Sequence, residues 1–140
     1  MARKRKRSKE SANCFSLGAT AGHMLALSGE AHAAVRDGHR ISAHDALDII
    51  EFEAKEFARL MGRRLHPDER EAAQRIQKTA KAIMKEIKPS ASGLLEIEKR
   101  DPLRRRALEI VHDVRTLLKS GNSACGNFPV EELRAKPFYS

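Results

Sequence analysis

Residues 67–89, PDEREAAQRIQKTAKAIMKEIKP, decide how the rest of the chain is read. Ala72, Ile76, Ala80, Ile83 and Ile87 recur at spacings of 4, 4, 3 and 4, the repeat of one helix face turned to a core. Pro67 suits a first helical position, and Asp68, Glu69 and Glu71 sit where the helix dipole is positive. Pro89 cannot continue a helix, so the pattern predicts one over 67–88. Opposite the isoleucine seam, Lys78, Lys81, Lys85 and Lys88 follow one another at spacings of 3, 4 and 3. Arg70 and Gln74 extend that face, with Glu71 and Glu86 at its margins. One face is thus apolar and the other cationic, which requires neighbouring helices to cover the first.

Those neighbours can be read on both sides. Upstream, Ser42 as N-cap and Asp45 behind it open a helix over 42–65, stopped by Pro67, with Ala43, Leu47, Ile50, Ala54, Phe57, Met61 and Leu65 on one face. Ile49, Phe52 and Leu60 point to its other side, so this helix is either central to the domain, the preferred reading, or meets another chain. Downstream, Asp101-Pro102 reads as an N-cap and first-turn pair for a helix over 102–120, with the seam Leu103, Ala107, Ile110, Val114 and Leu117 and a stop at Gly121. Leu17, Ala21, Met24, Leu25, Ala31 and Val35 give a helix over 13–36 ending at Asp37-Gly38, although Ser28-Gly29 could divide it in two. The expected fold is all-α: a small four-helix bundle over 13–120, or five if Leu94-Leu95-Ile97 forms a turn of its own. A basic flexible arm, 1–12, precedes it and an irregular tail, 121–140, follows.

Composition agrees with one helical domain. The chain has 140 residues, 41% of them hydrophobic, with no Trp, one Tyr and five Phe. A core of Ala, Leu and Ile suits helices better than a sandwich or barrel, and the length excludes a two-domain enzyme. The net charge of +8 is uneven. Arg3, Lys4, Arg5, Lys6, Arg7 and Lys9, against Glu10 alone, place six of the 27 basic and one of the 19 acidic side chains in the first ten residues. The body is nearly balanced. Cys14 and Cys125 lie far apart with no CxxC, so neither a disulfide framework nor a zinc site is signalled, and a reducing intracellular setting, cytoplasmic or nuclear, is expected rather than secretion. The weak apolar run 14–27 is too short and polar for a membrane span or a signal peptide.

Three constellations invite chemistry. Glu109-x-x-His112 is half of a di-metal carboxylate motif, but it points away from the seam and has no second copy. His44, Asp48 and Glu51 share one side of a helix, with a hydrogen-bonded His-Asp pair the simpler reading. Arg106 and His112, five residues between them, resemble the Arg-His motif of helical HEPN-type ribonucleases, which would make that pair catalytic; Ala107 departs from the polar residue usual there. Ile41-Ser42, Phe52, Phe57, Arg59 and Gly62 resemble the start and middle of the central helix of a core histone, which would imply a histone-fold partner and DNA bending. The basic-Thr-aliphatic loop that should follow is missing. A helix-turn-helix pattern around Ala58 and Gly62 is broken by Asp68.

Taken together, the residues favour a non-enzymatic helical accessory protein that neutralises nucleic-acid phosphates, without sequence readout, through Arg3, Lys4, Arg5, Lys6, Arg7, Lys9, Arg70, Lys78, Lys81, Lys85 and Lys88. The alternative is an assembly, adaptor or inhibitor module that docks on an acidic protein surface or oligomerises. Ile49, Phe52, Leu60, Phe138 and Tyr139 would then carry the contact. No cofactor, metal or membrane is called for.

Overall fold

The computed structural model describes the backbone of residues 2–125 and the side chains of residues 14–121 and 125. Four helices follow one another: α1 (Ala2–Asp37), α2 (Arg40–Met61), α3 (Pro67–Ile87) and α4 (Ile97–Cys125). Short connections force consecutive helices to run antiparallel. α1 packs on α2 and α4, and α3 packs on α2 and α4, so the helices form a closed ring with the α1–α2 side opposite the α3–α4 side. No strand occurs among the described residues.

The predicted seams are the core. On α3, Ala72, Ile76, Ala80, Ile83 and Ile87 are buried, as are Leu103, Ala107, Ile110, Val114 and Leu117 on α4 and the whole predicted face of α2. On α1, Leu17, Ala21, Met24, Ala31 and Val35 are buried, and Leu25 packs against them from the margin. Phe57 is the largest fully buried side chain; alanines between the large residues let the helices approach closely.

The helix boundaries differ from the expected ones where tertiary contacts outweigh local signals. α1 is one helix, not two, and the buried Ser28 hydroxyl is satisfied within it by donating to Leu25 O (2.8 Å). It begins at Ala2, so the backbone of the cationic run is helical and continuous with α1. Its end is as predicted: Gly38 takes a φ of 79°, with Gly38 N–H donating to Val35 O and His39 N–H to Ala34 O, the paired bonds of a Schellman stop.

α2 starts at Arg40, ahead of Ser42, because the Arg40 side chain is drawn inward. It stops at Met61, where Gly62 (φ 55°) ends the helix. A single 3-10 turn, Gly62–Arg64, then carries the chain to the buried Leu65, and Arg64 caps the open carbonyls of Leu60 (3.0 Å) and Met61 (3.3 Å). α3 opens at Pro67 as expected, with Glu69 accepting the His66 N–H at 3.0 Å. α4 begins at Ile97, so Pro102 lies inside the helix and Asp101 caps nothing. The anchor that starts it is Leu95, 2% exposed: its N–H donates to Gly38 O at 2.9 Å, and its carbonyl accepts from Arg100 at 2.9 Å. α4 also passes Gly121 and continues to Cys125, leaving residues 126–140 outside the described part.

The cysteines are a correction of larger consequence. Cys14 and Cys125, 111 positions apart, form a disulfide with their Cα atoms 5.7 Å apart. Their distance in sequence hid the pairing, because antiparallel α1 and α4 bring the beginning of one beside the end of the other. The expected reducing compartment rested on unpaired cysteines and loses that support.

Candidate nucleic-acid interface

Helical spacing on α3 puts Arg70, Lys78, Lys81, Lys85 and Lys88 on its outer face, and all five are exposed. From Lys78 to Lys88 the stripe covers about 15 Å of helix. Lys81 reaches across to Glu51 of α2 at 3.5 Å; Lys78, Lys85 and Lys88 have no carboxylate within 4 Å among the described residues. Lys88 caps α3 in the left-handed region (φ 49°), turning the chain out of the helix there.

Packing of α4 against α3 adds what sequence spacing on one helix could not reveal. Lys85 and Lys88 line a groove of about 810 Å³ together with Lys99 and Arg106 of α4, with Glu86 and Glu98 as the only carboxylates. Ala82 and Pro102 form part of its wall. Four cations against two anions at the mouth of one groove favour an anionic ligand longer than a single ion. The signal for Lys99 and Arg106 was present only as their place near the start of α4, opposite the end of α3 in an antiparallel pair.

The connection from α3 to α4 holds the two halves of this groove in register, and Arg40 holds the connection. Its side chain is 7% exposed and donates to Ile87 O, to Gly93 O (3.2 Å) and to Leu94 O (3.4 Å), and it pairs with Glu96 at 3.4 Å. Arg40 falls between the helices expected over 13–36 and 42–65, and the sequence pattern assigned it nothing.

Other candidate residues are dispersed. Ile49 and Phe52 are exposed, at 41% and 65%, which overturns the preferred reading that α2 is covered on both sides; Leu60 is half-buried against the core. The side chains of Arg3, Lys4, Arg5, Lys6, Arg7 and Lys9, and all of Phe138 and Tyr139, lie outside the described residues. Glu109 and His112 are exposed; Arg106 lines the groove, but His112 does not. His44 sits 3.8 Å from Asp45, and Glu51 is engaged by Lys81, so the His44, Asp48 and Glu51 set is not assembled. Among the described residues no three His, Cys, Asp or Glu side chains are grouped to hold a metal ion, and no helix is long and apolar enough to cross a membrane.

On the far side of the bundle, between α1 and α2, the charge reverses. A groove of about 530 Å³ has an apolar floor that includes Leu27, Ala34, Ala46 and Ile49, and carries Glu30, Asp37 and Asp45 with no Lys or Arg. At its end His23 Nδ1 contacts Glu53 Oε1, and the other Glu53 oxygen is buried without a hydrogen-bond partner. Burial pushes the Glu53 carboxyl above the usual carboxylate range, and this outweighs the His23 contact, which acts the other way. A carboxyl that ionises later in the folded than in the unfolded chain supports folding fully below its ordinary value, and loses that contribution as pH rises through its folded-state value. Glu53→Gln is therefore expected to remove a falling component from the stability curve just above the ordinary carboxylate range. The check is the difference in Tm between wild type and variant across that window: it should move in the variant's favour as pH rises, and a flat difference would refute the assignment.

The chain matches no protein-family model, no curated protein and no solved structure. The reading of its function therefore stands on its own residues.

Proposed function

We propose that this protein is a non-enzymatic accessory factor that binds nucleic acid through backbone phosphates, without sequence recognition. The observation that carries the reading is the convergence of Lys85, Lys88, Lys99 and Arg106 on one groove, continuous with Lys78 and Lys81 along α3. Charged donors on a rigid helix face can follow phosphates, whereas no aromatic side chain stands among them to stack on a base. The cationic run Arg3–Lys9 is taken as a second phosphate contact.

Binding of duplex DNA titrated against salt tests this. Each lost phosphate contact lowers the slope of log affinity against log salt by about 0.9. Replacing Lys78, Lys81, Lys85 and Lys88 by Gln is expected to weaken binding equally for unrelated sequences and to reduce the slope by about 3 to 4. Lys99→Gln with Arg106→Gln should reduce it further, while Arg3, Lys4, Arg5, Lys6 and Arg7 changed together to Gln give the share of the N-terminal segment. An absence of binding at low salt ends the proposal. Binding that survives all these changes ends it equally.

Exposed Phe52 beside Ile49 favours a second reading, that of a protein-interaction module. A strip on α2 that touched only its own bundle would not leave a Phe ring 65% exposed. Substitution of Phe52 by Ser should then release a stoichiometric protein partner without altering the salt slope for DNA.

A further inference from the structure

The α1–α2 groove lies on the side of the ring opposite the lysine face, and its chemistry is the reverse. Arg36 pairs with Asp37 beside the groove at 3.0 Å, which leaves Glu30 and Asp45, with no Lys or Arg among the lining residues, as the carboxylates that make the site complementary to a cation. Burial holds the Glu30 carboxyl above the usual range, outweighing the attraction of His23 at the same groove, which acts the other way. From His23 to Asp37 the groove follows α1 for about 21 Å, some four helical turns, over a floor of small and aliphatic side chains. Such a trough fits a helix better than a compact small molecule.

A helix of the required length and charge is present in the chain itself. Residues 2–13 precede the Cys14–Cys125 staple as the first part of α1, about 18 Å of helix, and carry Arg3, Lys4, Arg5, Lys6, Arg7 and Lys9. That segment cannot enter the groove of its own molecule, because it belongs to the same continuous helix that forms one wall. It can enter the groove of another. We propose that the α1–α2 groove receives the cationic N-terminal segment of a second copy of this chain. Two such contacts related by a two-fold axis close an antiparallel, staggered dimer in which each copy gives one segment and offers one groove. The two lysine faces then point outward, away from the contact, so the dimer is bivalent for a phosphate backbone through those faces, and the N-terminal segments reach phosphates only in the monomer.

Sedimentation velocity on the nuclease-treated full-length protein tests the contact with no nucleic acid present, so the result does not depend on the phosphate-binding reading. The expected result is a dimer at low salt that dissociates at high salt. Two variants should each be monomeric with unchanged helicity by circular dichroism: Arg3, Lys4, Arg5, Lys6 and Arg7 to Gln, and Glu30→Lys with Asp45→Lys. Mixed together, they should associate through one intact contact, the segment of the second variant in the groove of the first, read as a rise in fluorescence anisotropy on titrating one with the other. A monomer at low salt overturns the proposal. So does a dimer that survives either set of changes, or a mixture in which neither binds the other.

Discussion

Reduction of the Cys14–Cys125 disulfide is expected to lower the stability of this bundle by about 4 to 5 kcal/mol, the largest effect of any single covalent change in the molecule. A cross-link acts mainly by restricting the unfolded chain, and its contribution grows with the length of the loop it closes. Here the loop spans 111 positions and holds α2, α3, α4 and the part of α1 from Cys14 onward between its ends. Guanidinium denaturation with and without a thiol reductant, and of Cys14→Ser with Cys125→Ser, should give the same lowered midpoint. Titration of thiols in denaturant should find none before reduction and two after. Arg64 stands 4.0 Å from the Cys125 sulfur, and Cys125 packs on the margin of the core, so the reduced protein should fray at this end of the bundle first. Two thiols found before reduction, or an unmoved midpoint, would show that the staple is not formed in solution.

The disulfide also marks where sequence reasoning reached its limit. The main apolar seam of each helix is buried, Leu25 at its margin, because a period of 3.6 residues is a local property that five residues on one face suffice to reveal; the second strip of α2, Ile49 and Phe52, is exposed. The Gly38 stop was legible for the same reason: a left-handed turn favours Gly, which has no Cβ to clash there. What could not be read locally was set by contacts between helices. Asp101-Pro102 carries a strong start signal, yet Leu95 docking against Gly38 begins α4 at Ile97. Cys14 and Cys125 give no signal until α1 and α4 are known to be antiparallel neighbours. The lysine stripe on α3 was legible as a pattern on one helix, whereas Lys99 and Arg106 joined it only through packing. The groove between α1 and α2 was invisible for a related reason: its three carboxylates are spread over residues 30–45, each unremarkable on its own helix. A net charge of +8 therefore conceals two opposite surfaces, one cationic and one acidic, on opposite sides of the same ring.

Arg40→Ala is expected to destabilise the protein by about 3 kcal/mol, the second large effect and the one that links stability to the candidate interface. The guanidinium serves three carbonyls and one carboxylate in the stretch 87–96, and one of those carbonyls, Ile87 O, is the last of α3 and has no partner within the helix. Truncation leaves these acceptors to compete for water at the end of the core. Glu96, half exposed, is not stranded by the loss, which keeps the effect below that of a fully buried pair. Arg40→Lys keeps the charge but cannot span acceptors in the fixed fork of a guanidinium, so about half the loss should remain. Hydrogen exchange should rise in residues 88–97 before it rises in the α1–α4 contact, because the change acts first on the connection. Lys88 and Lys99 stand at the two ends of that connection and face one groove. Once it is loosened, the same cations must be brought together at the moment of binding, and the cost of ordering them falls on affinity. Arg40→Ala should therefore weaken duplex DNA binding at a given salt concentration without changing the salt slope, since no phosphate contact is removed. A lowered slope would place Arg40 among the phosphate contacts instead. Unchanged exchange across 88–97 would show that Arg40 does not hold the groove in shape.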